Sequence, residues 1–355
     1  MAKTINDIAL AAGVSKATVS AVLNNRSSVS DGTRERVLDV MREHQYHPRA
    51  AARLRREAGK PLVGLIVKEI DNPFFAEVAA GVLERARASG YTAVVVDSQG
   101  DAAEEIRLVL QLREQGVGGL VIAPTLDPRD DISHLYDLKR EGYPFVLLES
   151  AGHYHLKANI VDVDNVSASK QAVSHLIELG HTHILHFSGP PYSAHSRERV
   201  EGVRRAFSES SLVFSEDLVV PTGFRAEDGY RMAIETFAER PTGPVGITCF
   251  NDLVALGVWQ ALLELGLRVP EDVSLIGYDD LNVLGYLPVS LTTVHTPNRE
   301  MGTQAADILL RHMEAPEGLA PERRTLDASL VERASTQAVR RAQVTASDGQ
   351  PVLYA

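Results

Sequence analysis

From Pro61 onward the chain alternates short, continuous apolar runs with longer segments whose apolar residues recur at helical spacing. Leu62 to Val67, Thr92 to Val96, Gly119 to Ile122 and Phe145 to Leu148 read as buried strands, because a strand covered on both faces has no polar alternate. Helices are predicted near residues 75 to 89 and 102 to 115, between the first three strands. This is the βαβ pattern of a parallel sheet. A second series begins at Ile160, with strands near Ile184 to Phe187, Leu218 to Val220, Val245 to Cys249 and Val273 to Ile276. Its helices are expected near 166 to 179, 196 to 209, 226 to 238 and 253 to 265. Two similar α/β lobes over residues 61–337 are implied.

The first sixty residues follow a different rhythm. Thr4-Ile5-Asn6-Asp7 can cap a helix N-terminus, after which Ile5, Ile8, Ala9 and Ala12 share one helical face. Gly13 supplies a turn and Ser15 a second cap. The helix it opens puts Val19, Val22 and Leu23 inside, with Lys16, Ala17, Ser20, Ala21 and Asn24 pointing outward. Two short helices joined by a glycine turn form a helix-turn-helix. A third helix is predicted from Ser30 to about His44 on a Val37, Val40, Met41 stripe, with Tyr46 and Pro48 closing the unit. Pro48 to Arg56 begins with the residue suited to the first helical turn but is too short for a stable isolated helix. It is expected to fold only when docked on DNA and on a second copy of itself; its other reading is a basic linker. The expected organisation is a headpiece over 1–47, a hinge over 48–60, a two-lobed body over 61–337 and a flexible tail over 338–355.

Charge sharpens this division. The 355 residues carry a net charge of −11, yet residues 1 to 60 carry +5 and the remainder −16. That asymmetry suits a small module for a polyanion joined to an acidic body with another task. The 44% hydrophobic and 23% charged content is that of a globular protein. No apolar run is long enough to span a bilayer, and Met1-Ala2-Lys3-Thr4-Ile5-Asn6 lacks the basic-then-apolar order of a secretion signal, so a cytoplasmic protein with no membrane partner is expected. The single cysteine, Cys249, can form neither an internal disulfide nor a structural zinc site of the usual kind.

Major-groove reading needs a narrow helix whose exposed N-terminal side chains reach base edges, with hydroxyls and cations nearby for phosphates. Lys16, Ala17, Thr18 and Ser20 satisfy that requirement, although a three-helix bundle with a solvated second helix has the same spacing. In the body, ligands of open α/β sheets gather beyond the carboxyl ends of the strands. The loops there offer Asp71-Asn72-Pro73-Phe74-Phe75, Glu149, Ser188-Gly189-Pro190-Pro191, Asn251-Asp252 and Gly277-Tyr278-Asp279-Asp280. Carboxylates and amides pair with vicinal hydroxyls while aromatic rings cover the apolar face of a sugar, so this set suits a polyol. Arg197 or Arg199 could instead grip a carboxylate or phosphate. Each segment also has an ordinary reading as a turn or helix cap.

The headpiece segments Thr4-Ile5-Asn6-Asp7-Ile8-Ala9, Ala12 to Asn24, Val29-Ser30, Thr33 to Val37 and Tyr46-His47-Pro48 resemble LacI family transcriptional regulators. The similarity continues through Asp71 to Phe75, Leu179-Gly180-His181, Arg197 to Gly202, Asn251-Asp252, Gly277 to Asp280, Leu291 to Val294 and Glu300-Met301-Gly302. It covers roughly residues 3 to 337. The resemblance implies an all-α headpiece on a two-lobed core that shares its fold with periplasmic sugar-binding proteins of type I. It implies a homodimer that reads a near-palindromic double-stranded operator and inserts paired hinge helices into the minor groove.

Carried onto this chain, the DNA-contacting set is Thr4, Lys16, Ala17, Thr18, Ser20, Asn24, Arg49, Ala52, Arg53, Leu54 and Arg55. The effector set is Phe74, Glu149, Arg197, Phe224, Asn251 and Asp279. Four departures stand out. Ala21 replaces an arginine common in the family, which removes one guanine contact. Arg55 occupies the position of the intercalating leucine, with Leu54 one residue early, so either Leu54 is the wedge in an altered register or the wedge is absent. Thr296 replaces a glutamine, and Glu149, longer than the usual aspartate, should shrink the pocket. The expected function is operator binding, as a repressor, controlled by a carbohydrate or related polyol; a corepressor that is a nucleobase or small acid is the alternative.

An enzyme is the first competing class. The chain has no Gly-x-Ser-x-Gly elbow, no Walker loop and no Gly-x-Gly-x-x-Gly turn, and Cys249 has no motif around it. His181, His183 and His186 do not converge simply, because His181 follows a helix-ending Gly180 and the other two have opposite strand parity. Neither a metal nor another cofactor is expected. A transport solute-binding protein would need an export signal and would have no use for the basic headpiece.

Overall fold

The computed structural model describes residues 5–23, 29–44, 61–125, 127, 131–148, 156–286, 290–314 and 319–339. The headpiece helices are α1 (Ile5–Ala11), α2 (Lys16–Leu23) and α3 (Asp31–Glu43). Gly13, at φ +63°, makes the turn between the first two, a conformation an L-residue adopts at a cost. Ser15 Oγ accepts the Thr18 backbone N–H at 3.0 Å and so caps α2 as the sequence suggests. Ile8, Ala9, Ala12, Val19, Val22, Val37 and Met41 form a separate buried cluster, with Val40 only partly covered.

The body holds two parallel-sheet lobes. Its strands are β1 (Leu62–Val67), β2 (Ala93–Asp97), β3 (Val117–Ile122), β4 (Phe145–Leu147), β5 (Asn159–Val163), β6 (Ile184–Ser188), β7 (Val219–Pro221), β8 (Val245–Cys249), β9 (Val273–Asp279), β10 (Thr292–His295), β11 (Arg323–Leu326) and β12 (Ser329–Val331). The first sheet runs β11-β5-β4-β3-β1-β2 and the second β12-β10-β9-β8-β6-β7. Every pairing is parallel except the antiparallel β10–β12 edge. The helices are α4 (Pro73–Ala88), α5 (Ala102–Glu114), α6 (Ser133–Arg140), α7 (Asn165–Glu178), α8 (Ala194–Ser208), α9 (Ala226–Thr236), α10 (Asp252–Glu264) and α11 (Asn298–Glu314).

One expectation is corrected. The strand at Ile160 does not begin the second lobe; β5 pairs with β4 and β11 and completes the first. The chain therefore crosses between lobes after β5, after β10 and after β11, so neither lobe is a continuous piece of sequence. In the second lobe the Val339 N–H donates to the Leu179 carbonyl at 2.8 Å.

After the second crossing α11 packs on α4 in the first lobe. The approach is close at two glycines: a Cβ on Gly81 would meet the Arg299 carbonyl oxygen at 2.0 Å, and one on Gly302 the Val78 carbonyl oxygen at 2.0 Å. Backbone cannot yield as a side-chain tip can. Gly302→Ala is expected to cost about 1–3 kcal/mol through overpacking, read as a lowered urea midpoint; an unchanged midpoint would show that the helices can separate freely.

Candidate effector cleft and DNA-reading surface

In each sheet the strand order reverses beside one strand. β1 lies between β2 and β3, and β6 between β7 and β8, so the loops after these strands open a crevice on each lobe. The two crevices face one another and enclose a cavity of about 150 Å3. A single water needs roughly 10–15 Å3 on that scale, so the space suits a small organic ligand. The first lobe contributes Phe74 and Phe75 after β1, and Thr125 after β3. The second contributes Tyr192 and His195 after β6, Phe224 after β7, Phe250 and Asn251 after β8, and Asp279 at the end of β9.

Phe74 sits where Asn72, as N-cap, accepts the Phe74 N–H at 3.1 Å. Its ring meets Phe75 edge-on at 5.0 Å between centroids, and it packs against the cores of both lobes. Asn251 lines the cleft and caps a helix. Its Oδ1 accepts the Val254 N–H at 2.8 Å as the cap of α10, and its Nδ2 donates to the Phe224 carbonyl at 2.9 Å, so it fixes a neighbouring cleft residue.

Arg199 is the cleft guanidinium, and Arg197 is not. Arg197 turns away and donates to the Pro191 and Tyr192 carbonyls at 3.2 and 2.6 Å, stapling the loop that precedes α8. Arg199 is 6% exposed and donates to Asn165 Oδ1 at 3.1 Å and to the Phe250 carbonyl. Its guanidinium lies 3.5 Å from the Tyr278 ring centroid and 4.6 Å from that of Phe250. Cation–π contacts of this kind hold a desolvated arginine in place.

Asp279 is buried with φ +106°, followed by Asp280 at φ +54°. Two consecutive left-handed aspartates persist only where neighbours over-determine them. Buried Asp252 does so with both oxygens, accepting the Leu281 N–H at 2.9 Å and the Thr293 hydroxyl at 2.6 Å. Asp280 pairs with Arg333 at 2.6 Å and with His295 at 3.1 Å. Burial pushes the Asp279 carboxyl up to about 7, although Arg199 and His195 pull it down; Glu77 adds to the rise.

Sequence reasoning missed Glu69, Tyr192, His195 and Phe250. Glu69 accepts from Arg225 Nη2 across the cleft at 2.6 Å, and burial raises its carboxyl pKa. His195 Nε2 lies 3.2 Å from Asp162 Oδ1, at the end of the first lobe's β5. Phe250 could have been found, because it directly precedes Asn251 at the carboxyl end of β8. Glu149 lies outside the described residues, as do Thr4, Asn24, Arg49, Ala52, Arg53, Leu54 and Arg55.

On the headpiece, Lys16 and Ala17 are exposed on the first turn of α2, with Thr18 and Ser20 half-buried. The histidines flagged in the sequence are engaged separately: His181 with Ser274 at 2.9 Å and His186 with Thr248 at 2.9 Å. Among the described residues no group of three or more His, Cys, Asp or Glu side chains could hold a metal ion, and no helix is long and apolar enough to cross a membrane.

Residues 4–49 match the profile of bacterial regulatory proteins of the lacI family, and residues 173–336 that of the periplasmic binding protein-like domain. The HTH-type transcriptional regulator DegA of Bacillus subtilis is 33% identical over 304 residues, 86% of this chain and 89% of DegA. The solved complex of the transcriptional regulator CelR with cellobiose is 30% identical, with a TM-score of 0.69 over 94% of this chain and 99% of that one. The lac repressor dimer bound to operator and the anti-inducer ONPF is 29% identical, with a TM-score of 0.70 over 95% and 100%. The chain thus belongs to the lacI family of bacterial regulatory proteins, as a DNA-binding transcriptional repressor with an effector-binding core rather than an enzyme.

Proposed function

We propose that a homodimer of this chain binds a near-palindromic operator, and that a carbohydrate or related polyol held between the lobes controls its affinity. The observation that carries the effector reading is the pairing, in one interlobe cavity, of aromatic walls from both lobes with the buried Asp279 and Arg199. Rings cover the apolar face of a sugar while a carboxyl and a guanidinium pair with its hydroxyls. CelR, solved with cellobiose, supports the class. The operator-bound lac repressor dimer supports the assembly. A corepressor that is a nucleobase or small acid is the second reading, favoured by the desolvated Arg199 cation in the cleft wall.

A thermal-shift panel of monosaccharides, disaccharides, nucleobases and small carboxylic acids tests the class. A ligand at one hundred times its Kd stabilises by about 2.7 kcal/mol, well within reach of a melt. Stabilisation by sugars supports the first reading, by bases or acids the second, and by none of them neither.

For the headpiece, Lys16 and Ala17 would face bases, and Thr18 and Ser20 phosphates. Arg49 to Arg55 would form the hinge, either with Leu54 as its wedge or with none. Lys16→Ala is expected to change base preference in a selection from random duplexes, whereas Arg53→Ala should weaken all duplexes alike and flatten the salt dependence. Identical effects of both on every duplex would remove the assignment.

A further inference from the structure

Glu77 lies on α4, three residues beyond the cleft residue Phe74. Its Oε1 accepts the backbone N–H of Asn282 at 3.1 Å and the Asn282 side-chain amide at 2.8 Å, and its Oε2 accepts from Asn298 Nδ2 at 3.1 Å. Asn298 Nδ2 carries two hydrogens, and its other acceptor is the backbone carbonyl of Asp279 at 3.3 Å. Asn282 belongs to the second lobe and follows directly on the Asp279–Leu281 corner. Asn298 opens α11, where the chain has just re-entered the first lobe. One carboxylate of the first lobe thus gathers the residue after the effector-facing corner and the residue after a crossing between lobes.

We propose that Glu77 is a positioning residue that ties the Asp279 corner of the second lobe to α4 of the first, so that displacement of the corner by a ligand is passed to the first lobe. Hydrogen bonds to an ionised acceptor are roughly twice as strong as neutral ones, and here three converge on a single side chain. The corner itself is rigid, because Asp252 and Arg333 clamp it from within the second lobe. It moves as a unit. α4 is equally stiff as a receiver, since Gly81 and Gly302 seat it directly on the backbone of α11. Phe74, near the same end of α4, lines the cleft and touches both cores, so one helix carries a ligand-facing ring and the interlobe tie. The link depends on the effector reading only for what triggers it, and its test therefore uses ligand-free protein.

Spin labels at Lys139→Cys in the first lobe and Glu239→Cys in the second, both exposed positions, report the interlobe distance by pulsed electron resonance; the native Cys249 is buried. Labelled chain is diluted with unlabelled chain so that distances are read within one protomer. Glu77→Ala is expected to widen the distance distribution about twofold, Asn282→Ala to widen it less because its backbone N–H still donates to Glu77, and the double variant to widen it no further than Glu77→Ala alone. Glu77→Gln, which keeps one acceptor for Asn282, should fall between Glu77→Ala and the parent. Distances unchanged in Asn282→Ala, or additive widening in the double variant, would overturn the proposal. Asn282 is exposed, so its variant remains decisive if those at Glu77 do not fold.

Discussion

Asp279→Asn is expected to shift the response of operator binding to the cleft ligand to about 10- to 150-fold higher ligand concentration, while ligand-free operator affinity stays within about twofold of the parent. Asp279 lines the cleft at the end of β9 and is held there by a left-handed backbone that Asp252 and Arg333 maintain. Above the raised pKa of Asp279, an amide of the same shape keeps that packing but loses the anionic acceptor, and hydrogen bonds to charged groups contribute roughly 1.5–3 kcal/mol. Ligand affinity should therefore fall by about 10- to 150-fold. Calorimetric titration of the sugar or acid that stabilises the parent gives the first quantity, and operator titration the second. Loss of operator binding with ligand affinity retained would contradict the assignment.

The same substitution should stabilise the ligand-free protein, and increasingly so as pH rises from about 4 to about 7. Burial raises the folded-state pKa of Asp279 from 3.8 to about 7, so between those values the native state holds a proton that the unfolded chain has released. Stability from this group is accordingly present at low pH and lost as pH climbs through the interval. The displacement corresponds to on the order of 4 kcal/mol at most. Buried His186 works in the opposite sense, because its pKa is depressed to about 3 and its contribution grows with pH up to its ordinary value. The melting difference between the Asp279→Asn variant and the parent cancels that background. It should widen from pH 4.5 to 7 and then level off; a constant difference would mean that Asp279 titrates normally.

Much of this architecture was legible because buried parallel strands have no polar alternate. β1, six residues all buried, reads as a strand on its apolar run alone. β11 does not, since Arg323-Arg324-Thr325-Leu326 is an edge strand whose only buried residue is Leu326. Lobe membership was hidden for a different reason. β5 looks like the start of a new series, and only its pairing with β4 and the distant β11 assigns it to the first lobe. Local pattern carries no information on such pairings.

In the cleft, aspartates and amides at strand ends could be read directly, but the choice between two arginines depended on helix phase. Arg199 shares its face of α8 with buried Val203 and Ala206, four and seven residues on, and Arg197 does not. That spacing was available in the sequence. The Glu69–Arg225 and His195–Asp162 contacts were not, because each joins residues from different lobes.

The central claim is a coupling between cleft and headpiece. Duplexes enriched from a random library by the purified protein supply the operator, and its affinity is titrated with and without the ligand that raises the melting temperature most. A coupling of about 1–3 kcal/mol predicts a change of roughly 5- to 150-fold, in either direction. An affinity that stays constant at saturating ligand would contradict the account.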